Sequence, residues 1–158
     1  MDIQPGDVIF YKPTSLVGWI ISKLTHSDYS HVALAVDAYN IVEADKFIKS
    51  RVSNLYYVDS INSVYRLNNA TDDQKHIIVN HALTMVGMRY DYKQIFGLFL
   101  RLTFRKDYST FNTANKYICS EIVDTAFLMA DVPRKDTRNL GDISPQELFE
   151  KYDLIRVY

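Results

Sequence analysis

An α+β domain, with a mostly antiparallel sheet and helices gathered against it, is the fold class this sequence predicts. Three observations carry that prediction. The first half of the chain holds short apolar runs bounded by turn residues, which is the pattern of strands. From Thr71 onward the apolar period becomes helical, with Ile77, Ile78, His81, Ala82, Met85 and Val86 on one repeat. Strands followed by helices, with no regular alternation of the two, give segregated layers and not a doubly wound parallel sheet.

Each element has a local reason. Pro5-Gly6-Asp7 is a turn, and Val8-Ile9-Phe10-Tyr11 is a compact strand that ends before Pro13. Ser15 can cap a short helix with apolar positions Leu16, Val17, Ile20, Ile21 and Leu24. A polar loop, Thr25 to Ser30, leads into the strand His31 to Val36. Asp37 to Asn40 turns the chain, and Ile41 to Ala44 returns as the hairpin partner. Further strands are expected near Tyr56–Val58 and Val64–Leu67. Thr71 with Gln74 forms a capping box for a helix that stops at Gly87. Residues 93–104 read as helical or loop-helical and unusually apolar. Ile122, Val123, Ala126, Phe127 and Ala130 define a helix ending before Pro133. Ser144-Pro145 opens a short helix, Gln146 to Lys151, and Leu154 to Tyr158 closes the chain as a strand.

At 158 residues the chain suits one domain, residues 1–158, large enough to bury most of its apolar surface. The formal net charge of -1 gives no reason to expect nucleic acid as a partner. The start lacks the basic and apolar regions of a secretory signal, so a cytoplasmic location is the default expectation. The most apolar stretch, Ile95 to Phe104, contains Arg101 and is too short to span a bilayer, which leaves peripheral membrane contact open. Oligomeric state is not legible here.

Cys119 is the only cysteine, so no internal disulfide can form. A lone cysteine is ordinarily a packing residue. This one stands where the extended pair Tyr117-Ile118 gives way to a helix, and a helix start lowers a thiol pKa and offers N–H groups to an oxyanion. A base is available in His31, at the mouth of an apolar strand beside a polar loop. Its orienting partner has two candidates on the returning strand, Glu43 and Asp45. If hairpin partners sum to 76, Glu43 faces Ala33 and Asp45 faces His31. A sum of 74 pairs Glu43 directly with His31, and a sum of 77 turns both acids away. A metal set of His26, Asp28, His31 and Glu43 fits no familiar ligand spacing, so no metal or other cofactor is expected. No Gly-x-Ser-x-Gly elbow supports a serine nucleophile. The thiol remains the best nucleophile, with His31 as base and Glu43 as orienter.

A histidine on a strand, a glutamate on the next strand and then a cysteine at a helix start resemble the circularly permuted branch of the NlpC-type cysteine peptidases. The resemblance is closest to the YiiX-like permuted papain-fold proteins. Its segments are "GDVIFY" at Gly6, "THSDYSHVALAV" at Thr25, "IVEA" at Ile41, "VGMRYDY" at Val86, "YICSEIV" at Tyr117 and "ISPQEL" at Ile143. The resemblance implies a permuted papain-like fold, with Cys119 as nucleophile, His31 as base and Glu43, in preference to Asp45, as the orienting residue. It also implies that Tyr90 offers its hydroxyl near the oxyanion, beside the Cys119 N–H. Asp7 and His26 match family positions and read as structural or cleft-lining.

The function so implied is a cysteine hydrolase that cleaves amides, cell-wall peptides among them, or esters through an acyl-enzyme. Its partner is a small peptide-like or acyl-containing substrate. Two alternatives use the same cleft: a binding module without turnover, and an acyltransferase acting on acyl lipids. The apolar run "QIFGLFLRLTF", between Tyr90 and Cys119, departs from the family pattern. It either packs on the sheet or lines an acyl groove.

Overall fold

The computed structural model describes residues 2–15, 18–19, 22–23, 27–44, 49–55, 63–90, 116–117, 119–136 and 143–158, with the backbone alone at 89–90 and 116–117. Six strands form one antiparallel sheet: β1 (Val8–Tyr11), β2 (His31–Ala35), β3 (Asn40–Glu43), β4 (Arg51–Asn54), β5 (Ser63–Leu67) and β8 (Leu154–Arg156). Their order across the sheet is β4-β3-β2-β1-β5-β8. Among the described residues three full helices accompany it: α1 (Asp72–Thr84), α2 (Cys119–Met129) and α3 (Pro145–Lys151). Two short segments, β6 (Arg89–Tyr90) and β7 (Lys116–Tyr117), pair in parallel as a second small sheet.

Period-two alternation sorts the strand side chains into two buried layers. Val8, Phe10, Val32, Leu34, Val42, Tyr65 and Leu67 face Ile78 and Ala82 of α1, Ile122, Val123, Ala126 and Phe127 of α2, and Leu148 of α3. Ile9, Tyr11, Ala33, Ala35, Ile41 and Val64 point the other way and are covered by Ile3 and Leu55. The helices therefore lie on one face.

The helix boundaries follow their sequence signals. The Thr71 side chain accepts from Gln74 N–H while the Gln74 side chain reciprocates, which satisfies two donors at the α1 start. Ser144 and Glu147 do the same for α3. Gly87 stands at φ 90°, a conformation costly for any other residue, just beyond the end of α1. Ser15 caps as expected, its hydroxyl accepting from Gly18 N–H at 3.1 Å. Residues 18–19 and 22–23 are helical, and the apolar positions Leu16, Val17, Ile20, Ile21 and Leu24 lie outside the described residues.

One strand was not among those expected. The fourth strand is Arg51–Asn54, upstream of the expected Tyr56–Val58, which lies outside the described residues. Arg-Val-Ser-Asn has only one residue of high β propensity. It is strand because it lies at the sheet edge and completes the ladder of β3, where backbone pairing outweighs side-chain preference.

The N-terminal segment is tied down by Asp7. Its buried carboxylate accepts from Arg66 Nε at 2.8 Å, Arg66 Nη2 at 2.9 Å and Gln4 N–H at 2.8 Å. Removing the guanidinium would leave the carboxylate buried without its counter-charge. Arg66→Met should therefore lower unfolding free energy by about 3 kcal/mol in urea denaturation, a loss well above that of an exposed ion pair.

Candidate active site

The β2–β3 hairpin pairs Ala33 with Glu43, Leu34 with Val42 and Ala35 with Ile41, so its partners sum to 76. Glu43 thus stands opposite Ala33, on the sheet face that also carries His31. Opposite Glu43 on its other side is Arg51 of β4. A small alanine across the ladder leaves the long glutamate free to lean along the diagonal towards His31, a reach of about 7–8 Å between backbones. Glu43 Oε2 meets His31 Nε2 at 3.1 Å. Asp45, the alternative acid, lies outside the described residues.

Cys119 is the first residue of α2 and is hydrogen-bonded to the His31 ring. Helix and histidine belong to opposite faces: α2 packs on Val32 and Leu34, whereas His31 shares a face with Tyr11 and Ala33. They meet because both stand at element ends, His31 opening β2 and Cys119 opening α2. With Nε2 held by Glu43, Nδ1 is the ring nitrogen left for the thiol. The sulfur also receives the backbone N–H groups of Val32 and Ser120. Ser120 anchors the helix start by bonding Ile143 O, and Asp124 Oδ1 accepts the Tyr152 hydroxyl at 2.7 Å.

Two side chains that sequence reading missed complete the site. Arg51 donates from Nε and Nη2 to Glu43 Oε1 at 3.1 and 3.0 Å, and Ser53 Oγ donates to the same oxygen at 2.7 Å. The signal was present in the alternation Arg-Val-Ser, which puts residues 51 and 53 on one face of a strand. It was unreadable until that segment was known to be a strand.

The electrostatics favour a charge-separated pair. Burial alone would lower the His31 pKa, but its hydrogen bonds to Cys119 and Glu43 and their negative charges push it up to about 10. Burial alone would raise the Cys119 thiol. The bond and charge of His31, then the N–H groups of Val32 and Ser120, bring it below the ordinary thiol value instead. Thiolate and imidazolium therefore stabilise each other. Cys119 is buried and the His31 side chain keeps 13% exposure.

Among the other residues expected at the site, Tyr90 is adjacent in backbone: it pairs with Tyr117, two residues before Cys119. Its side chain lies outside the description. His26 and the apolar stretch 94–104 also lie outside the described residues. Asp7 is structural, bonded to Arg66 as above. Among the described residues no group of three or more acidic, histidine or cysteine side chains is placed to hold a metal. Of the ligands considered, Asp28 is exposed, and Glu43 is already bonded to an arginine, a poor neighbour for a cation.

The site thus sets a thiol beside a carboxylate-bound imidazole, at the junction of a helix start and an antiparallel sheet. The chain belongs to the permuted papain-like amidase enzymes of the YaeF/YiiX, C92 family, which it matches over residues 2–149. Among solved structures it is similar to one described as metalloprotein yiiX from Escherichia coli O157:H7. That match has a TM-score of 0.69 and 20% sequence identity and covers 100% of this chain and 98% of the other. At that identity the likeness concerns the fold. No match was found among curated proteins. The permuted papain-like fold is thereby established, with its hydrolase and amidase character.

Among the described residues the buried Tyr11 hydroxyl meets no hydrogen-bond partner, and burial first, then the Glu43 charge, pushes its pKa above the ordinary phenol value. Its ring packs beside His31 at 5.4 Å between centroids. Tyr11→Phe keeps that packing and removes an unpaired polar group. The variant should be more stable by about 1 kcal/mol in thermal denaturation, and a loss of stability would show that the hydroxyl is in use.

Proposed function

We propose that the protein hydrolyses peptide-like amides through a Cys119 thiolate, with His31 as general base and acid and Glu43 as the orienting carboxylate. The observation that carries the reading is the continuous chain of contacts from Cys119 to His31 to Glu43. The Cys119 S–H proton passes to His31 Nδ1, leaving a thiolate and an imidazolium. The sulfur attacks the carbonyl carbon, and the negative charge forming on oxygen is met by backbone N–H at the α2 start, with Tyr90 a further donor in the role that the family resemblance implies. The imidazolium then gives its proton to the departing amine nitrogen. Water, deprotonated by His31, attacks the thioester, releases the acid and restores the thiol.

The membership in an amidase family supports amides as the substrate class. Esters and transfer to an acyl acceptor other than water use the same acyl-enzyme; the group released as it forms, amine or alcohol, separates amides from esters, and the product of its breakdown separates hydrolysis from transfer. A module that only binds would form no thioester.

Two outcomes are expected. Iodoacetamide should alkylate Cys119 well below pH 8, and His31→Ala should move that profile to higher pH, as the imidazolium no longer lowers the thiol pKa. An unchanged profile would remove His31 from the mechanism.

Amide turnover needs the imidazolium as proton donor, so kcat/KM should hold through neutrality and fall as pH rises past about 10, the His31 value. Cys119→Ala should abolish turnover in a folded protein. Residual turnover in that variant would place the nucleophile elsewhere.

A further inference from the structure

We propose that Arg51 is a positioning residue of the thiol–imidazole pair: by holding Glu43 Oε1 it keeps that carboxylate ionised and so fixes the His31 tautomer whose Nδ1 takes the thiol proton. This rests on the reading of Cys119 as nucleophile.

The geometry divides the two carboxylate oxygens between two tasks. Among the described residues, Oε1 receives Arg51 Nε, Arg51 Nη2 and Ser53 Oγ, while Oε2 faces His31 Nε2. An ionised carboxylate can only accept, so Nε2 must carry the hydrogen and the neutral ring keeps its lone pair on Nδ1. A protonated carboxyl could instead donate to Nε2. The hydrogen would then sit on Nδ1, and the ring could not take a proton from the thiol. Glu43 is fully buried, and a buried carboxylate favours its neutral form unless a cation offsets the lost hydration. Arg51 is that cation, and its planar fork also prevents the carboxylate from rotating.

Charge balance points the same way. The groups facing Glu43 and His31 are Tyr11 from β1, Arg51 from β4 and Cys119 from α2, with Glu121 buried two residues further along α2. In the reactive state, thiolate and imidazolium cancel, and so do Glu43 and Arg51. Without Arg51 the cluster carries an extra negative charge, which opposes thiolate formation and draws a proton onto Glu43. Both effects push the acid limit of thiolate formation upward.

The experiment is the pH profile of iodoacetamide alkylation at Cys119, read by intact mass in folded wild type, Arg51→Met and Arg51→Lys. Arg51→Met should move the acid limb up by about one pH unit or more, with a roughly tenfold slower reaction on that limb. Arg51→Lys, which restores the charge, should return the limb most of the way to wild type. A folded Arg51→Met protein with the wild-type limb would overturn the proposal and leave Arg51 as a strut. If Arg51→Met does not fold, Arg51→Gln, which keeps a donor without the charge, serves: an upward shift relative to Arg51→Lys supports the role, and no shift overturns it. A wild-type protein with no reactive thiol below pH 8 would instead defeat the reading of Cys119 itself.

Discussion

A carboxylate with no exposed surface, Glu43, is the constraint on which this site depends. Taking such a group out of water costs several kcal/mol unless it is paired and fully hydrogen-bonded. Here the cost is offset from both neighbouring strands: Arg51 and Ser53 of β4 on one oxygen, and His31 of β2 on the other. The sheet register is therefore also the register of the chemistry. A slip of one residue between β2 and β3 would turn Glu43 into the helix layer in place of Val42, and a slip of β4 would turn Arg51 and Ser53 away from it.

The thiol depends on the same arrangement at one remove. A cysteine at a helix start has a modest electrostatic advantage, and burial works against it. What reverses the balance is an imidazolium, and the imidazolium is stable in a buried place because Glu43 lies behind it. The helix is held where this can happen by the Ser120–Ile143 and Asp124–Tyr152 bonds and by an apolar face of Ile122, Val123, Ala126 and Phe127. Core packing thus fixes the position of the sulfur, and the polar chain along the sheet edge fixes its charge.

Much of the fold was legible because its signals are local. The capping boxes at Thr71 and Ser144 and the period change after Thr71 each depend on residues within one turn of one another, and each appears where expected. The hairpin turn was legible, but its register was not, since sums of 74, 76 and 77 all satisfy short apolar strands. The edge strand was missed for a related reason: Arg-Val-Ser-Asn has little intrinsic reason to be extended until β3 offers it a ladder.

By itself the sequence determined which chemistry was available: one thiol at a helix start, a histidine at a strand mouth, acids on the returning strand, and a segment order that resembles one family. Tertiary structure alone decided how they combine. It chose the register that sets Glu43 diagonal to His31, and it brought His31 and Cys119 together past the ends of two elements on opposite faces. It also turned a polar edge segment into the cation and hydroxyl that hold the carboxylate. Those decisions rest on contacts between residues far apart in the chain, whose free energy exists only when both partners are already in place.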